Sequence, residues 1–204
     1  WNFFTGFDAD GDVGKPEYYR PHHIERMMEQ LRRDHIDALV VHDLDDEAEN
    51  ARQLELALSW RDSGKVGRLG TWAPDEAFIE RHGDRREFDF MVRPYNVLTD
   101  EAPPIFARAK QAGWDAYACS PFHRGWEIDK LAQAAARREP GISLDDCRAR
   151  VADHLLRYSL FRPDVDFLIT AMRRKEWVGR NLASDRRGPL PDSDLEWLMS
   201  LVRE

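Results

Sequence analysis

His42 closes an apolar run, Ile36 to His42, and is followed at once by Asp43, Asp45 and Asp46. An imidazole at the end of a strand can donate a hydrogen bond to a carbonyl oxygen, or it can simply brace the acidic loop beside it. Histidine with carboxylates is also a metal-compatible set. A second acidic loop, Asp8, Asp10 and Asp12, alternates like a calcium loop but lacks its glycine spacing and its later glutamate. Loops of this kind are ordinarily solvated, so no metal is assigned to either.

Other residues offer weaker chemistry. Thr71 can hydrogen-bond, and Trp72 beside it can stack on a ligand or fill its space. Arg93 suits an anionic ligand or an ion pair with neighbouring acids. Cys119 precedes Ser120, yet a lone buried cysteine usually packs as a small hydrophobe. Two loops carry phosphate-binding residue types, one with Ser120, His123, Arg124 and Gly125, the other with Met172, Arg173, Arg174 and Lys175; Arg180 and Asn181 lie beyond the second. Helix amino-terminal N–H groups add to such sites, although a solvated basic helix start would read the same way.

The elements that must position these residues alternate. The patterning predicts strands over Asn2 to Phe7, Ile36 to His42, Val66 to Leu69, Phe88 to Val92, Trp114 to Ala118 and Val165 to Thr170. Between and after them it predicts helices over Arg20 to Asp34, Glu47 to Ser63, Pro74 to His82, Ala102 to Ala112, Ile128 to Arg138, Leu144 to Tyr158, Lys175 to Leu182 and Pro191 to Val202. The first helix carries Ile24, Met27, Met28 and Leu31 on one side, and the second Leu54, Leu58 and Arg61. Six strands leading into helices predict parallel pairing with right-handed crossovers. No Gly-x-Gly-x-x-Gly turn follows an early strand, which favours a barrel over an open dinucleotide-binding sheet. No composition shift divides the chain, so residues 1–204 read as one domain.

Several segments then share one resemblance. Arg33 through Asp43, with Ile36-Asp37-Ala38-Leu39-Val40-Val41-His42, resembles the fourth-strand motif of the aldo-keto reductases, which ends in a catalytic histidine. Ser63 through Gly70 resembles their fifth strand, and Pro94-Tyr95-Asn96-Val97-Leu98 the segment after their sixth. Gly113 through Phe122 resembles the seventh strand, and Asp166 through Asn181 the eighth with its cofactor loop. The resemblance implies most of a TIM (β/α)8 barrel, with Asn2 to Phe7 as third strand. The first two strands, which in the family carry the catalytic Asp and Tyr, have no counterpart in the sequence. An open barrel edge exposes backbone polar groups, so the expectation is that a further segment or a second chain completes it.

By the same resemblance, His42 orients a substrate carbonyl while tyrosine supplies a proton and NADP(H) the hydride. Thr71, Trp72, Arg93 and Cys119 take nicotinamide-contact positions, and Ser120, Arg124, Met172, Arg173, Arg174 and Asn181 the phosphate loops, a cluster suited to the 2'-phosphate of NADP. The sequence departs from the family where Gly6 replaces the lysine that tunes the tyrosine, where Thr71-Trp72 replaces Ser-Asn, where Arg93 replaces a glutamine and where Ala171 replaces a glycine. Three readings follow: an NADP-dependent carbonyl reductase, a reductase-like regulatory or binding subunit, and a barrel enzyme with a changed reaction built on His42 and Arg93.

Composition limits the partners. Thirty Lys and Arg against thirty-eight Asp and Glu give a formal net charge of -8, which disfavours a general nucleic-acid surface. No apolar run reaches the roughly 20 residues that span a bilayer, and no signal peptide is legible. Two cysteines form no disulfide framework and suit a reducing, cytoplasmic compartment. The expected ligand is a small carbonyl compound or an anion.

Overall fold

The structure, a computed structural model, describes residues 17–99, 101–172 and 174–203, the side chains of Arg124 and Trp126 excepted. The predicted strand Asn2 to Phe7, with Gly6, and the acidic loop Asp8 to Asp12 lie outside the described residues, as does Arg173. In chain order the elements are α1 (His23–Leu31), β1 (Ile36–Val41), α2 (Glu47–Asp62), β2 (Val66–Trp72), α3 (Glu76–His82), β3 (Phe90–Pro94), α4 (Ala102–Gln111), β4 (Asp115–Cys119), α5 (Trp126–Arg138), α6 (Leu144–Leu160), β5 (Phe167–Ile169), α7 (Lys175–Arg186) and α8 (Asp192–Val202). The chain forms two compact units, one reaching Val92 and adding Arg108–Asp115, the other comprising Arg93–Ala107 and the residues from Ala116 onward.

In the first unit β1 pairs in parallel with β2, Ile36 opposite Val66 and Val41 opposite Thr71, and β2 pairs in parallel with β3, Gly70 opposite Phe90. Leu39, Leu69, Phe90 and Met91 are wholly buried, with Ile24 of α1 and Ile79 of α3. Gly70 is glycine because a Cβ there would stand 2.1 Å from the Phe90 ring. Helix α2 starts on Asp46, whose carboxylate accepts the N–H groups of Ala48 and Glu49 at 2.9 and 3.0 Å. Its buried face is Gln53, Ala57 and Trp60, one position off the Leu54 and Leu58 stripe read from the pattern. Gln53 turns inward because its amide donates to the His42 carbonyl at 2.6 Å. Leu31, expected in the core, is 49% exposed because α1 ends there, at Arg32 in the left-handed conformation.

In the second unit β4 pairs in parallel with β5, Tyr117 opposite Phe167. Helices α5, α6 and α8 bury Leu131, Val151, Leu155, Leu198 and Leu201 in one cluster. Ser143 begins α6 by accepting the Asp146 N–H at 3.1 Å while its hydroxyl donates to the Asp146 carboxylate at 2.6 Å.

An aspartate stands immediately before both β3 and β5, and the two act alike. Asp89 donates its N–H to the Leu69 carbonyl at 2.7 Å, and its carboxylate accepts the Leu69 N–H at 2.8 Å. Asp166 donates to the Ala116 carbonyl at 2.9 Å, and its carboxylate accepts the Ala116 N–H at 2.8 Å. Each clamps one residue of the neighbouring strand at two points. This is why β3 and β5 begin one residue after these aspartates, later than the pattern places them.

The strand order is linear, β1-β2-β3-β4-β5. The alternation with helices resembles part of a (β/α)8 barrel and not a closed one; of the six strands predicted for most of such a barrel, five lie among the described residues. Among the described residues no helix is long and apolar enough to cross a membrane. Removing either clamp leaves a buried strand N–H unpaired, so Asp89→Ala and Asp166→Ala should each lower stability by about 1–3 kcal/mol in urea unfolding, while Asp45→Ala, at an exposed position, should stay within about 0.5 kcal/mol of the parent.

Candidate functional site

In a parallel β/α sheet the carboxyl ends of the strands carry the groups available for chemistry. In the first unit these ends bring together His42, Thr71 and Trp72. His42 follows the last residue of β1, is half-buried, and lies with its ring centroid 5.7 Å from that of Trp72 at an interplanar angle of 33°. Thr71 is fully buried, and its hydroxyl oxygen has no hydrogen-bond partner among the described residues. Trp72 ends β2, and the chain turns at Ala73, whose φ of 46° is left-handed and whose N–H donates to the Val92 carbonyl at 2.7 Å.

The acidic loop after His42 is tied down by α2. Asn50 donates from its amide to the Asp43 carboxylate at 2.6 Å and to the Leu44 carbonyl at 2.5 Å, and accepts the Leu44 N–H at 2.9 Å. Asp46 is committed to capping α2. Asp43 and Asp46 thus serve the loop itself, and among the described residues no group of three His, Cys, Asp or Glu is arranged to hold a metal ion. An open depression beside the loop is lined by Tyr18, Leu44, Asp45, Asp46, Glu47, Ala48 and Ala51, and not by His42.

The second unit carries the other residues singled out in the sequence. Arg93 lies in β3 and is half-buried. Cys119 ends β4 and is buried; that burial pushes its thiol up to about 11, against a weaker opposing hydrogen bond from Ser120. A thiol so placed is neutral at physiological pH. Ser120 adopts φ 58°, another left-handed turn directly after a strand. Asn96 holds it there: the buried amide donates to the Ser120 carbonyl at 3.2 Å, while the Asn96 N–H donates to Thr99 Oγ1 at 3.0 Å. Arg124 belongs to the short turn His123–Gly125 before α5. Met172 is 45% exposed between β5 and α7. Arg174 occupies the N-cap position of α7 without a side-chain capping bond, its guanidinium carbon 5.3 Å from the Trp177 ring centre, and Asn181 sits half-buried on that helix.

Gln53 and Asn96 are positioning residues that sequence reading did not rank. Gln53 had a legible signal, an amide three residues after Asn50 on the helix following the acidic loop. Asn96 was visible only as part of a motif.

No family model and no curated protein matches the chain. Solved structures do. It superposes on a thermostable aldo-keto reductase in complex with the inhibitor epalrestat at a TM-score of 0.62 and 17% identity, over 87% of this chain and 64% of that one. The apo form of an aldo-keto reductase from Bacillus halodurans gives 0.62 and 15% identity over 88% and 66%, and its holo form 0.61 and 14% over 90% and 69%. The chain thus spans just under two thirds of the first two. The likeness is a distant, partial match to the aldo-keto reductase fold.

Because the Thr71 hydroxyl is buried without a hydrogen-bond partner among the described residues, Thr71→Val removes the cost of that unpaired group; thermal unfolding should show stability unchanged or raised by up to about 1 kcal/mol. Cys119 and Cys147 are both buried, so the native protein at pH 7 should react with a disulfide reagent at less than about one hundredth of the rate seen in denaturant.

Proposed function

We propose that this chain forms part of an NADP(H)-dependent reductase of the aldo-keto reductase type acting on a small carbonyl compound. The observation that carries the reading is the orphaned hydroxyl of Thr71 at the end of β2. A buried polar group left unpaired costs about 1–3 kcal/mol; Thr71 is wholly covered in the unliganded protein, so a ligand amide that bonds to it first displaces a covering side chain and then recovers that cost. In the first unit Thr71 would hold the nicotinamide carboxamide, Trp72 would pack beside it, and His42 would donate a hydrogen bond to the substrate carbonyl. Ser120, Arg124, Arg173, Arg174 and Asn181 would supply donors for phosphate, with Met172 and Cys119 as apolar neighbours and Arg93 for an anionic group. NADPH, when bound, supplies the hydride. The family's aspartate and tyrosine would come from a further segment or a second chain.

A second reading, a binding or regulatory subunit of the same descent, is favoured by Trp72. Its indole already lies against His42, and Gly6 offers no side chain in place of the family's lysine.

Calorimetric titration of the complete assembly with NADPH and NADP+ tests both. The reductase reading expects NADPH binding that Thr71→Val weakens about tenfold, the worth of one hydrogen bond, and turnover of a model aldehyde that His42→Ala slows at least about a hundredfold. Binding without turnover selects the subunit reading. Absence of binding by either nucleotide form removes NADP(H) from the account.

A further inference from the structure

In the second unit, His154 of α6 is buried, 4% exposed, at a point where α6 meets α8. Its Nδ1 lies 3.4 Å from Asp153 Oδ2 on the same helix, and its Nε2 lies 3.6 Å from Asp194 Oδ1 in the first turn of α8. Neither ring nitrogen has a hydrogen-bond partner among the described residues. The Trp197 ring of α8 meets the imidazole edge-on, with centroids 5.1 Å apart.

The carboxylates beside the ring are already engaged. Arg157 donates to Asp153 Oδ2 at 3.2 Å, and Arg187, just after α7, stands 3.1 Å from Asp153 Oδ1. Arg150 lies 3.6 Å from Asp194 and donates to both oxygens of Glu139 at 3.2 Å. Asp153, Asp194 and Glu139 thus balance Arg150, Arg157 and Arg187 around a neutral imidazole. A proton on His154 adds a positive charge in excess of that balance, where water cannot solvate it. Burial accordingly holds the imidazole below the ordinary histidine range, against the opposing pull of Asp194 and Asp153.

The same groups fasten α8. Arg157 donates to the Gly188 and Pro189 carbonyls, each at 2.7 Å, in the segment that leads into it. Trp197 Nε1 donates to Glu139 at 2.7 Å, and the Arg150 guanidinium lies 3.8 Å from the Trp197 ring centre. We propose that the cluster centred on His154 is a pH-sensitive clasp, which holds α8 against α6 at neutral pH and loosens it in mild acid. Opening exposes the ring and lets it take up a proton. Closure is therefore fully favoured above the ordinary histidine value, about 6.5, and loses ground as the pH falls below it, until the buried ring itself is protonated. Burial raises the Asp153 carboxyl, yet hydrogen bonds from Ser184 and Arg157 hold it below the usual carboxylate range, so it stays ionised throughout that window. The clasp is independent of the proposed reductase function.

Hydrogen exchange of the α8 amides in the full chain tests it, followed by mass spectrometry from about pH 7.5 to 5.5 and corrected for the intrinsic exchange rate. One histidine that is neutral when closed and ordinary when open shifts the opening equilibrium at about pH 5.5 by at most about tenfold, so an increase of about three- to tenfold is expected. His154→Asn, which keeps a polar side chain and cannot titrate, should abolish that increase. In the parent itself, NMR titration of the His154 ring should give a value below the ordinary range, a result that does not depend on how the variant folds. Exchange of α8 that is indifferent to pH overturns the proposal. So does an increase that survives in His154→Asn, or a ring that titrates at or above about 6.5.

Discussion

Parallel strands have no hairpin to fix their register, so the register must be pinned elsewhere. In both units an aspartate at the head of a strand does this, gripping one residue of the neighbouring strand by its carbonyl and by its N–H. Asp89 grips Leu69 and Asp166 grips Ala116. A slip of one residue would turn every side chain to the other face. With Leu69 fixed, Thr71 emerges buried and Trp72 ends the strand, so the candidate site at the far end of the sheet is set by a carboxylate at the near end. Asp115 extends the arrangement, donating its N–H to the Asp89 carbonyl at 3.0 Å and accepting from Arg68 at 2.7 Å.

Much of the fold was legible because the elements obey simple periodicity. Every described strand and helix lies where an apolar run or an amphipathic stretch predicts one. What escaped was governed by single polar contacts. Gln53 displaced Leu54 and Leu58 from the inner face of α2 by donating to the partly buried carbonyl of His42. Asp89 and Asp166 were absorbed into apolar runs, although an aspartate directly before a phenylalanine at both strand heads was there to be read. Closure of the barrel was not legible either: alternation predicts parallel pairing, while closure depends on which strands meet.

The candidate site was legible as residue types, and less so as environment. His42 was recognisable from its place at the end of a strand, but its neighbour Trp72 required the strand β2 to run three residues beyond Leu69. Periodicity halted that strand at Leu69 because Gly70 interrupts it; the ring of Phe90, which needs the space a side chain would take, explains both the glycine and the continuation. Likewise the neutral thiol of Cys119 follows from burial, which no local pattern reveals.

Two of the strand ends turn through left-handed backbone without glycine, at Ala73 after β2 and at Ser120 after β4. Glycine would take those angles at no steric cost, but it would also give the unfolded chain and the loop many more conformations. By using alanine and serine the chain accepts some strain in exchange for fewer alternatives. A loop with few alternatives loses little entropy when a ligand settles on it, so these two turns are shaped in advance of anything they bind.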